Sequence, residues 1–206
     1  MYAAYEQDAI NKGCCHIAGV DEAGRGPLAG PVVAAAVIFP TPPPLHLGIR
    51  DSKTLSPLQR SALLPDIYRE ALAVAIGVVW MDEIETTNIL AASLKAMTHA
   101  VKQLNPSPDF VLIDGQFPLD ISIPQLPVIK GDSKSISIAA ASIVAKTVRD
   151  SIMDAYHAIF PSYDFIKNKG YGTAKHLEAI KYFGPCPIHR KTFKGVKEYI
   201  SDIRKD

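Results

Sequence analysis

Short apolar runs bounded by glycine and proline dominate the hydrophobic pattern of the chain. Five of them have the length expected of buried strands: residues 17–20, 32–39, 71–80, 110–113 and 126–129. A glycine- and proline-rich turn separates the first two runs, and the third follows a short helical insertion. We expect these three to form a meander on one side of a sheet.

Helical periodicity fills the intervals between the apolar runs. Ser56, Pro57 and Gln59 supply an N-cap, a proline at the first helical position and a capping box. Asn88 precedes apolar residues spaced alternately four and three apart, which gives one apolar helical face as far as Pro106. Two helices are therefore predicted, one after Ser56 and one after Asn88.

The second half of the chain is mostly helical in pattern. A long alanine-rich helix is predicted over residues 136–156, a second over 173–183 with Gly184 as its stop, and a last one over 196–203. Strands and helices that alternate in this way pack as a sheet with helices on its faces. The expected fold is therefore α/β, with a mixed five-stranded sheet flanked by helices.

Three aspartates share one local pattern. Asp21, Asp114 and Asp132 each lie at the C-terminal end of an apolar run, beside or near a glycine, and Glu22 adds a fourth carboxylate. Ligand sites collect at such strand ends in sheets with helical crossovers. A single aspartate in this position is more often a turn residue or a helix cap. Spacing alone therefore leaves a metal cluster and a structural role equally open.

Four clustered carboxylates need positive charge, because like charges a few ångströms apart in a partly buried site repel each other. Mg²⁺ prefers oxygen ligands and completes its shell with water and phosphate oxygens. Two such ions roughly 4 Å apart support a displacement at phosphorus. Zinc is the weaker choice, because no histidine or cysteine adjoins the acidic residues. Neighbouring strand residues point to opposite faces, so Asp21 and Glu22 can share a metal only if the strand breaks, and Ala23 and Gly24 supply a plausible break.

The segment that follows the acidic pair, residues 24–27 (Gly24, Arg25, Gly26 and Pro27), is called the glycine loop below. Its backbone can approach a ribose hydroxyl or a phosphate closely, and Arg25 adds a phosphate-directed fork. Contact with the 2′-hydroxyl distinguishes RNA from DNA. Tyr171 lies between two glycines and can reach a sugar or base to stack on it. A tight hairpin turn and a semi-buried tyrosine are the structural alternatives.

Basic residues accompany the long helix and the segment around Tyr171, where they favour phosphate binding. They are Lys134, Lys146, Arg149, Lys167, Lys169 and Lys175. Residues 1–129 carry 8 Lys/Arg and 13 Asp/Glu, whereas residues 130–206 carry 14 and 8. This distribution fits an acidic metal centre in one half and a phosphate-contacting surface in the other, but a solvated basic face gives the same pattern. The nearby His176 and His189 are expected to be hydrogen-bonded structural residues.

Composition narrows the class of protein. The chain has 206 residues, of which 48% are hydrophobic and 21% charged, which suits a substantial folded core. No apolar stretch has the length of a membrane span, and the polar N-terminus does not resemble a signal peptide. Three cysteines without C-x-x-C spacing favour free thiols in a reducing compartment. We therefore expect a cytoplasmic protein.

The acidic pair and the glycine loop together resemble the signature of the type 2 ribonuclease H family. The signature covers residues 19–27, Gly-Val-Asp-Glu-Ala-Gly-Arg-Gly-Pro. Further blocks resemble bacterial ribonucleases HII and follow in order along the chain: residues 51–55, 88–90, 113–115, 130–132, 138–146, 149–150, 170–173 and 189–190. The matches extend over nearly the whole chain, which makes the set far more specific than any one motif.

The resemblance implies a ribonuclease H-like fold. Residues 1–160 would form the catalytic core, and residues 161–206 a helical C-terminal extension that packs on the core and contributes to substrate binding. Two Mg²⁺ or Mn²⁺ ions would be bound by four carboxylates, those of Asp21, Glu22, Asp114 and Asp132.

The resemblance also implies a substrate and its contacts. Family members cut the RNA of RNA–DNA hybrids and nick duplex DNA 5′ of single ribonucleotides, leaving 3′-hydroxyl and 5′-phosphate ends. Hybrids and ribonucleotide-containing duplex DNA are therefore the expected partners of a monomeric enzyme. The 2′-hydroxyl would be read by Gly24, Arg25 and Gly26, the next sugar would stack on Tyr171, and the backbone would be contacted by Ser52 and Lys53.

Two other functions remain compatible with the residues. One is a two-metal nuclease or phosphatase without ribose selection, and the other is a hybrid-binding protein without catalysis. The four retained carboxylates disfavour the second, because binding to phosphates alone would be stronger without that negative charge.

Overall fold

A mixed five-stranded sheet forms the centre of the computed structural model, which describes residues 3–49 and 55–200. The strands are β1 (Ile17–Ala23), β2 (Val32–Ile38), β3 (Ala73–Val79), β4 (Phe110–Asp114) and β5 (Gln125–Val128). They lie in the order β3-β2-β1-β4-β5. The β3-β2-β1 side is antiparallel, as predicted for the meander, whereas β4 is parallel to both β1 and β5. The predicted fold class is confirmed.

Helices cover both faces of this sheet. Within the described residues they are α1 (Ala4–Asn11), α2 (Pro57–Glu70), α3 (Met81–Thr86), α4 (Ile89–Lys102), α5 (Ile136–Ile159), α6 (Phe165–Asn168) and α7 (Ala174–Phe183). Helix α4 packs on the face that carries Ala34 and Ala36, and α5 packs on the opposite face, beside Ala35 and Val37. Alternation along a strand sends successive side chains to these two layers.

The predicted helix starts are confirmed by their caps. The Ser56 hydroxyl accepts a hydrogen bond from the Gln59 N–H at 3.2 Å, and the Gln59 side chain accepts one from the Ser56 N–H at 2.8 Å. The side chains of Asn88 and Thr173 each accept one N–H from the first turn of α4 and of α7, without the second bond of a capping box. Side-chain acceptors of this kind satisfy N–H groups that a helix start leaves unpaired.

The last predicted helix is wrong over the part of it that the structure describes. A single 3-10 turn, Lys197–Tyr199, replaces the α-helix expected from residue 196, and residues 201–206 lie outside the described range. The Glu198 carboxylate accepts a hydrogen bond from the Gly195 N–H at 2.8 Å, which closes this turn locally. Short segments rarely sustain an α-helix, because the first turn is costly to nucleate.

Small residues let α5 approach the sheet closely. A Cβ added at Gly19 would lie 2.1 Å from the carbonyl carbon of Ser137, so only glycine fits at this point of β1. Behind it, Ala139, Ala140 and Ala141 are fully buried. The close approach brings the first turns of α5 directly beside the C-terminal end of β1, where the sequence has its acidic pair.

The segment after α5 packs against the end of that helix through a separate apolar cluster. Met153 of α5, Phe165 of α6 and Ile180 of α7 are members of the cluster. The division of the chain near residue 160 stays a prediction. None of the described helices combines the length and apolarity needed to cross a membrane.

Candidate active site

Three carboxylates converge at one edge of the sheet. Because β1, β4 and β5 run parallel, their C-terminal ends lie side by side, and a 3-10 turn, Gly131–Ser133, follows β5. Asp21, Asp114 and Asp132 each present a carboxylate oxygen there, and these oxygens all lie within 4.8 Å of one another. Residues that are distant in the chain thus form one acidic cluster, called the carboxylate triad below.

Hydrogen bonds hold the triad in place. One oxygen of Asp21 accepts the Glu22 N–H at 2.7 Å, and the Ser142 side chain on α5 also hydrogen-bonds to the Asp21 carboxylate. Asp114 accepts the N–H of Gly131 at 2.7 Å. This bond ties the end of β4 to the turn that carries Asp132.

Burial and like charge make the triad a favourable binding site for cations. Only 3% of Asp21 and 4% of Asp132 is exposed. Desolvation, and then the negative charges of Glu22 and Asp114, raise the pKa of Asp21 well above its usual value. A divalent cation would remove this penalty, since it neutralises the charge that burial disfavours. The oxygen-only donor set suits a hard cation.

Glu22 lies beside the triad without joining it. The strand ends at Ala23, but Asp21 and Glu22 both belong to its regular part, which pairs with β2 as far as Val33. Neighbouring strand residues point to opposite faces, yet Asp21 and Glu22 both line one pocket together with Asp114. Oε2 of Glu22 is buried and has no hydrogen-bond partner among the described residues, while Oε1 lies 3.4 Å from Arg25 Nη1. Desolvation raises the pKa of Glu22, as does Asp114, against the effect of Arg25.

A pocket of about 350 Å³ connects these acids with the glycine loop. A Cβ added at Gly26 would lie 3.5 Å from Cε1 of Tyr171, so the loop and the tyrosine ring are near neighbours. The residues that line the pocket are Asp21, Glu22, Ala23, Gly24, Arg25, Gly26, Arg60, Asp114, Ser142, Lys146 and Tyr171. The structure thus brings the predicted ribose-reading residues beside the acids. Asp132 contributes to the triad, and the predicted contacts Ser52 and Lys53 lie outside the described residues.

The basic residues predicted near the site have different surroundings. Lys146 lies in the pocket, 5.8 Å from the centroid of the Tyr171 ring and 2.6 Å from Asp150 Oδ1. Burial lowers the pKa of Lys146. Arg149 is fully buried, so the phosphate contact predicted for it is wrong, and Lys169 is paired with Asp154. Lys134, Lys167 and Lys175 are exposed.

Two residues at the site carried no predicted role. Ser142 and Arg60 both line the pocket. Ser142 lies within the family-like block 138–146 without a role of its own, and nothing local singles out Arg60. Their roles arise from α5 and α2 packing beside the site, which is a long-range effect.

The two histidines near this region are structural, as predicted. Nε2 of His176 lies 2.9 Å from Nε2 of His189, and both side chains are buried. The Cys186 N–H donates to Nδ1 of His189, so a neutral His189 carries its proton on Nε2 and donates it to His176. Nδ1 of His176 then donates to the Tyr171 carbonyl at 2.8 Å. The pair therefore anchors the backbone of Tyr171.

Solved structures share this arrangement of strands and helices. The ribonuclease H2 from Pyrococcus horikoshii OT3 superposes with a TM-score of 0.77 at 25% identity, covering 93% of this chain and 100% of that one. Bst-RNase HIII, solved in complex with Mn²⁺, gives a TM-score of 0.69 at 21% identity, covering 93% and 71%. The fold is therefore that of the ribonucleases H2 and H3.

Sequence comparison narrows this class to one family. The family model described as ribonuclease HII matches residues 18–196. Ribonuclease HII of Listeria monocytogenes is 54% identical over 94% of this chain and 74% of its own length, and that of Chlamydia muridarum is 52% identical over 97% and 92%. The chain belongs to the ribonuclease HII family, whose members are type 2 ribonucleases H that cleave RNA in RNA–DNA hybrids.

Proposed function

We propose that this ribonuclease H also nicks duplex DNA on the 5′ side of a single embedded ribonucleotide, using two divalent cations and leaving 3′-hydroxyl and 5′-phosphate ends. One observation carries the proposal. The oxygens of the carboxylate triad lie within 4.8 Å of one another, and two of its members, Asp21 and Asp114, line the same pocket as the glycine loop and Tyr171. Phosphodiester hydrolysis and ribose recognition would then occur at neighbouring positions.

The acids would hold Mg²⁺ or Mn²⁺. Asp21, Asp114 and Asp132 would be the central ligands, and the unpartnered Oε2 of Glu22, in the pocket that Asp21 and Asp114 line, would add a further ligand. The raised pKa of Asp21 supports this assignment, because a buried cluster of like charges is expected where a cation completes it. When bound, the ions would activate a water molecule and stabilise the leaving 3′ oxygen.

The other pocket residues would position the substrate. Backbone groups of Gly24 and Gly26 can approach a 2′-hydroxyl closely, and the half-exposed ring of Tyr171 can stack on the adjoining sugar. Arg25 and Lys146 would attract the phosphates beside it. Such positioning places the scissile phosphate in line for attack without a covalent step by the protein. From the family resemblance, Ser52 and Lys53 would contact the substrate backbone.

A cleavage assay on matched duplexes tests the proposal. One duplex carries a single ribonucleotide, one is all DNA, and one is a continuous RNA–DNA hybrid, each with Mg²⁺ or with a chelator. We expect a nick 5′ of the ribonucleotide only with Mg²⁺, and no cutting of the all-DNA duplex. Equal cutting of the first two would refute ribose selection, and binding without cleavage in Mg²⁺ would refute catalysis by this site.

Tyr171 offers a matched pair of variants for the same assay. Tyr171→Phe keeps the ring that would stack on the sugar, whereas Tyr171→Ala removes it, and base or sugar stacking contributes about 1–3 kcal/mol. We expect Tyr171→Ala to slow nicking at the single ribonucleotide by roughly tenfold or more, and Tyr171→Phe to stay near the wild-type rate. Unchanged nicking by Tyr171→Ala would contradict the stacking role.

A further inference from the structure

Two arginines beneath the glycine loop are fully buried although no carboxylate pairs with them among the described residues. Arg149 and Arg190 both have 0% exposure. All their hydrogen bonds within the described chain go to backbone carbonyl groups. Burying a charge without an opposite charge is costly. The fold therefore buries two guanidinium charges that the packing of the chain alone would not require.

Arg190 binds the carbonyl groups of the loop itself. Its Nη2 donates to the carbonyl of Gly24 at 2.5 Å, and its Nη1 donates to the carbonyls of Arg25 at 3.1 Å and Pro27 at 2.8 Å. Its Nε donates to Gly30 at 3.0 Å. One planar guanidinium thus fixes four carbonyls of a short segment, which an ammonium group cannot do.

Arg149 makes the same kind of hydrogen bonds and also reaches the segment that carries Tyr171. It donates to the carbonyls of Pro31, Ala29 and Lys169, each at 3.0 Å. Lys169 lies two residues before Tyr171 in the chain. Arg149 therefore connects the backbone beyond the glycine loop with the backbone that leads to the proposed stacking residue.

We propose that Arg190, braced by Arg149, is a positioning residue that determines ribonucleotide recognition by holding the carbonyls of the glycine loop inward. This inference rests on the proposed function, because it assumes that the loop contacts the ribose. With the carbonyls taken by Arg190, the N–H groups of Arg25 and Gly26 remain for the substrate, since no described residue accepts them.

The two guanidinium groups also provide a positive field under the loop. Burial, and then the positive charge of Arg149, lower the pKa of Arg190 to about 9, and burial lowers that of Arg149 to about 10. Both groups thus stay protonated at neutral pH. Fixed positive charge in a low-dielectric wall attracts phosphate and favours a loop geometry that accepts it.

Arg190→Lys in the full chain tests the inference, because it keeps the charge and removes the fork. We expect kcat/KM on the single-ribonucleotide duplex to fall about tenfold or more, mainly through KM, with weaker discrimination against the all-DNA duplex. Mn²⁺ affinity, measured by calorimetry without nucleic acid, should stay within about twofold of wild type, since the triad is untouched. Arg69→Lys, an exposed change on α2, is the matched control and should alter none of these values.

The outcomes separate this inference from the proposed function. A wild-type enzyme that cuts both duplexes equally would overturn both. A wild-type enzyme that discriminates, beside an Arg190→Lys variant with unchanged KM and discrimination, would overturn the arginine inference alone. A loss of Mn²⁺ affinity equal to the loss of kcat/KM would show that Arg190 has only a general structural role, and it would also overturn the arginine inference. If Arg190→Lys does not fold by circular dichroism, the same comparison is made with Arg149→Lys, and the same results decide.

Discussion

At the scale of single residues, the carboxylates that are energetically costly to bury lie where catalysis is expected. Asp21 is buried beside Glu22 and Asp114, and its carboxylate is therefore hard to ionise without a cation. Functional groups with strongly shifted pKa values cluster at active sites because burial and like charge are arranged there together. We therefore expect this arrangement to lower the stability of the metal-free protein.

Asp21→Asn should separate stability from activity. Asparagine keeps an oxygen for the Glu22 N–H and removes a buried charge, so the metal-free variant should melt at or above the wild-type temperature. Cleavage should fall at least about 100-fold, because a central ligand is lost. In wild type, Mn²⁺ at about 100 times its Kd should raise Tm by roughly 5 °C or more. The variant should lose most of this shift.

Thermal denaturation with and without Mn²⁺, together with the duplex assay, checks this prediction. Asp120→Asn is the control, because Asp120 is exposed and does not line the pocket that contains Asp21 and Asp114. An active Asp21→Asn enzyme, or one that keeps the full Mn²⁺ shift, would refute the assignment of Asp21 as a metal ligand.

At the scale of elements, glycines at helix–sheet contacts set how closely α5 and α4 approach the sheet. Added Cβ atoms would lie 2.1 Å from the Ser137 carbonyl carbon at Gly19, and 2.0 Å from the Ala96 carbonyl oxygen at Gly77. Both obstacles are helix backbone, which cannot move aside as a flexible side chain can. The separation of helix and strand, and through it the position of Ser142 beside Asp21, depends on these contacts.

Gly19→Ala should therefore destabilise the fold strongly. We expect the free energy of unfolding to fall by about 3 kcal/mol or more, since overpacking against backbone shifts a whole helix. Gly26→Ala is the matched control: its nearest neighbour would be 3.5 Å away, an ordinary contact, so the loss should stay below about 1 kcal/mol. Urea denaturation measures both values. Equal stability of the two variants would mean that α5 does not need the close approach.

Element prediction succeeded where local chemistry was strong. Three helix starts were predicted correctly from Ser56, Asn88 and Thr173, because a capping side chain acts within its own turn. The sequence missed α1, α3 and α6, which have 8, 6 and 4 residues, because such short helices depend on tertiary packing more than on periodicity. The same dependence explains the failed helix at residues 196–203.

At the scale of the whole molecule, the buried histidine pair couples stability to pH. Burial, and then the charge of His176, lower the pKa of His189 to about 4 from 6.5, against the effect of the Cys186 carbonyl near Nδ1. Between these pH values the unfolded chain binds a proton that the native His189 excludes. The contribution of His189 to stability is therefore complete above about pH 6.5 and is lost as the pH falls towards 4.

This loss should reach about 3 kcal/mol for His189, because each pKa unit corresponds to about 1.4 kcal/mol. Denaturation curves with Mg²⁺ present, recorded from pH 7 to pH 4, measure it. His189→Gln is the comparison, since glutamine can donate to His176 but does not titrate. The variant should show a shallower slope even if its stability is lower throughout. An identical slope would show that other groups govern acid unfolding.

The amino-acid sequence by itself determined the family and the sheet. Its signature residues are contiguous, and strand runs and helix caps are local, so they can be recognised without knowing what they contact. Tertiary structure alone decided the relations between distant residues. It placed carboxylate oxygens of Asp21, Asp114 and Asp132 within 4.8 Å of one another, and it brought Glu22 into the pocket that Asp21 and Asp114 line.

The two buried arginines show most clearly what the sequence alone does not reveal. In the sequence Arg149 resembles a basic surface residue and Arg190 only a member of a family motif, yet both lie inside the fold and bind carbonyls of the segment around the glycine loop. The physical reason is that a charge is placed by the groups that surround it in space. Those groups, here carbonyls more than a hundred residues away, come together only when the chain folds.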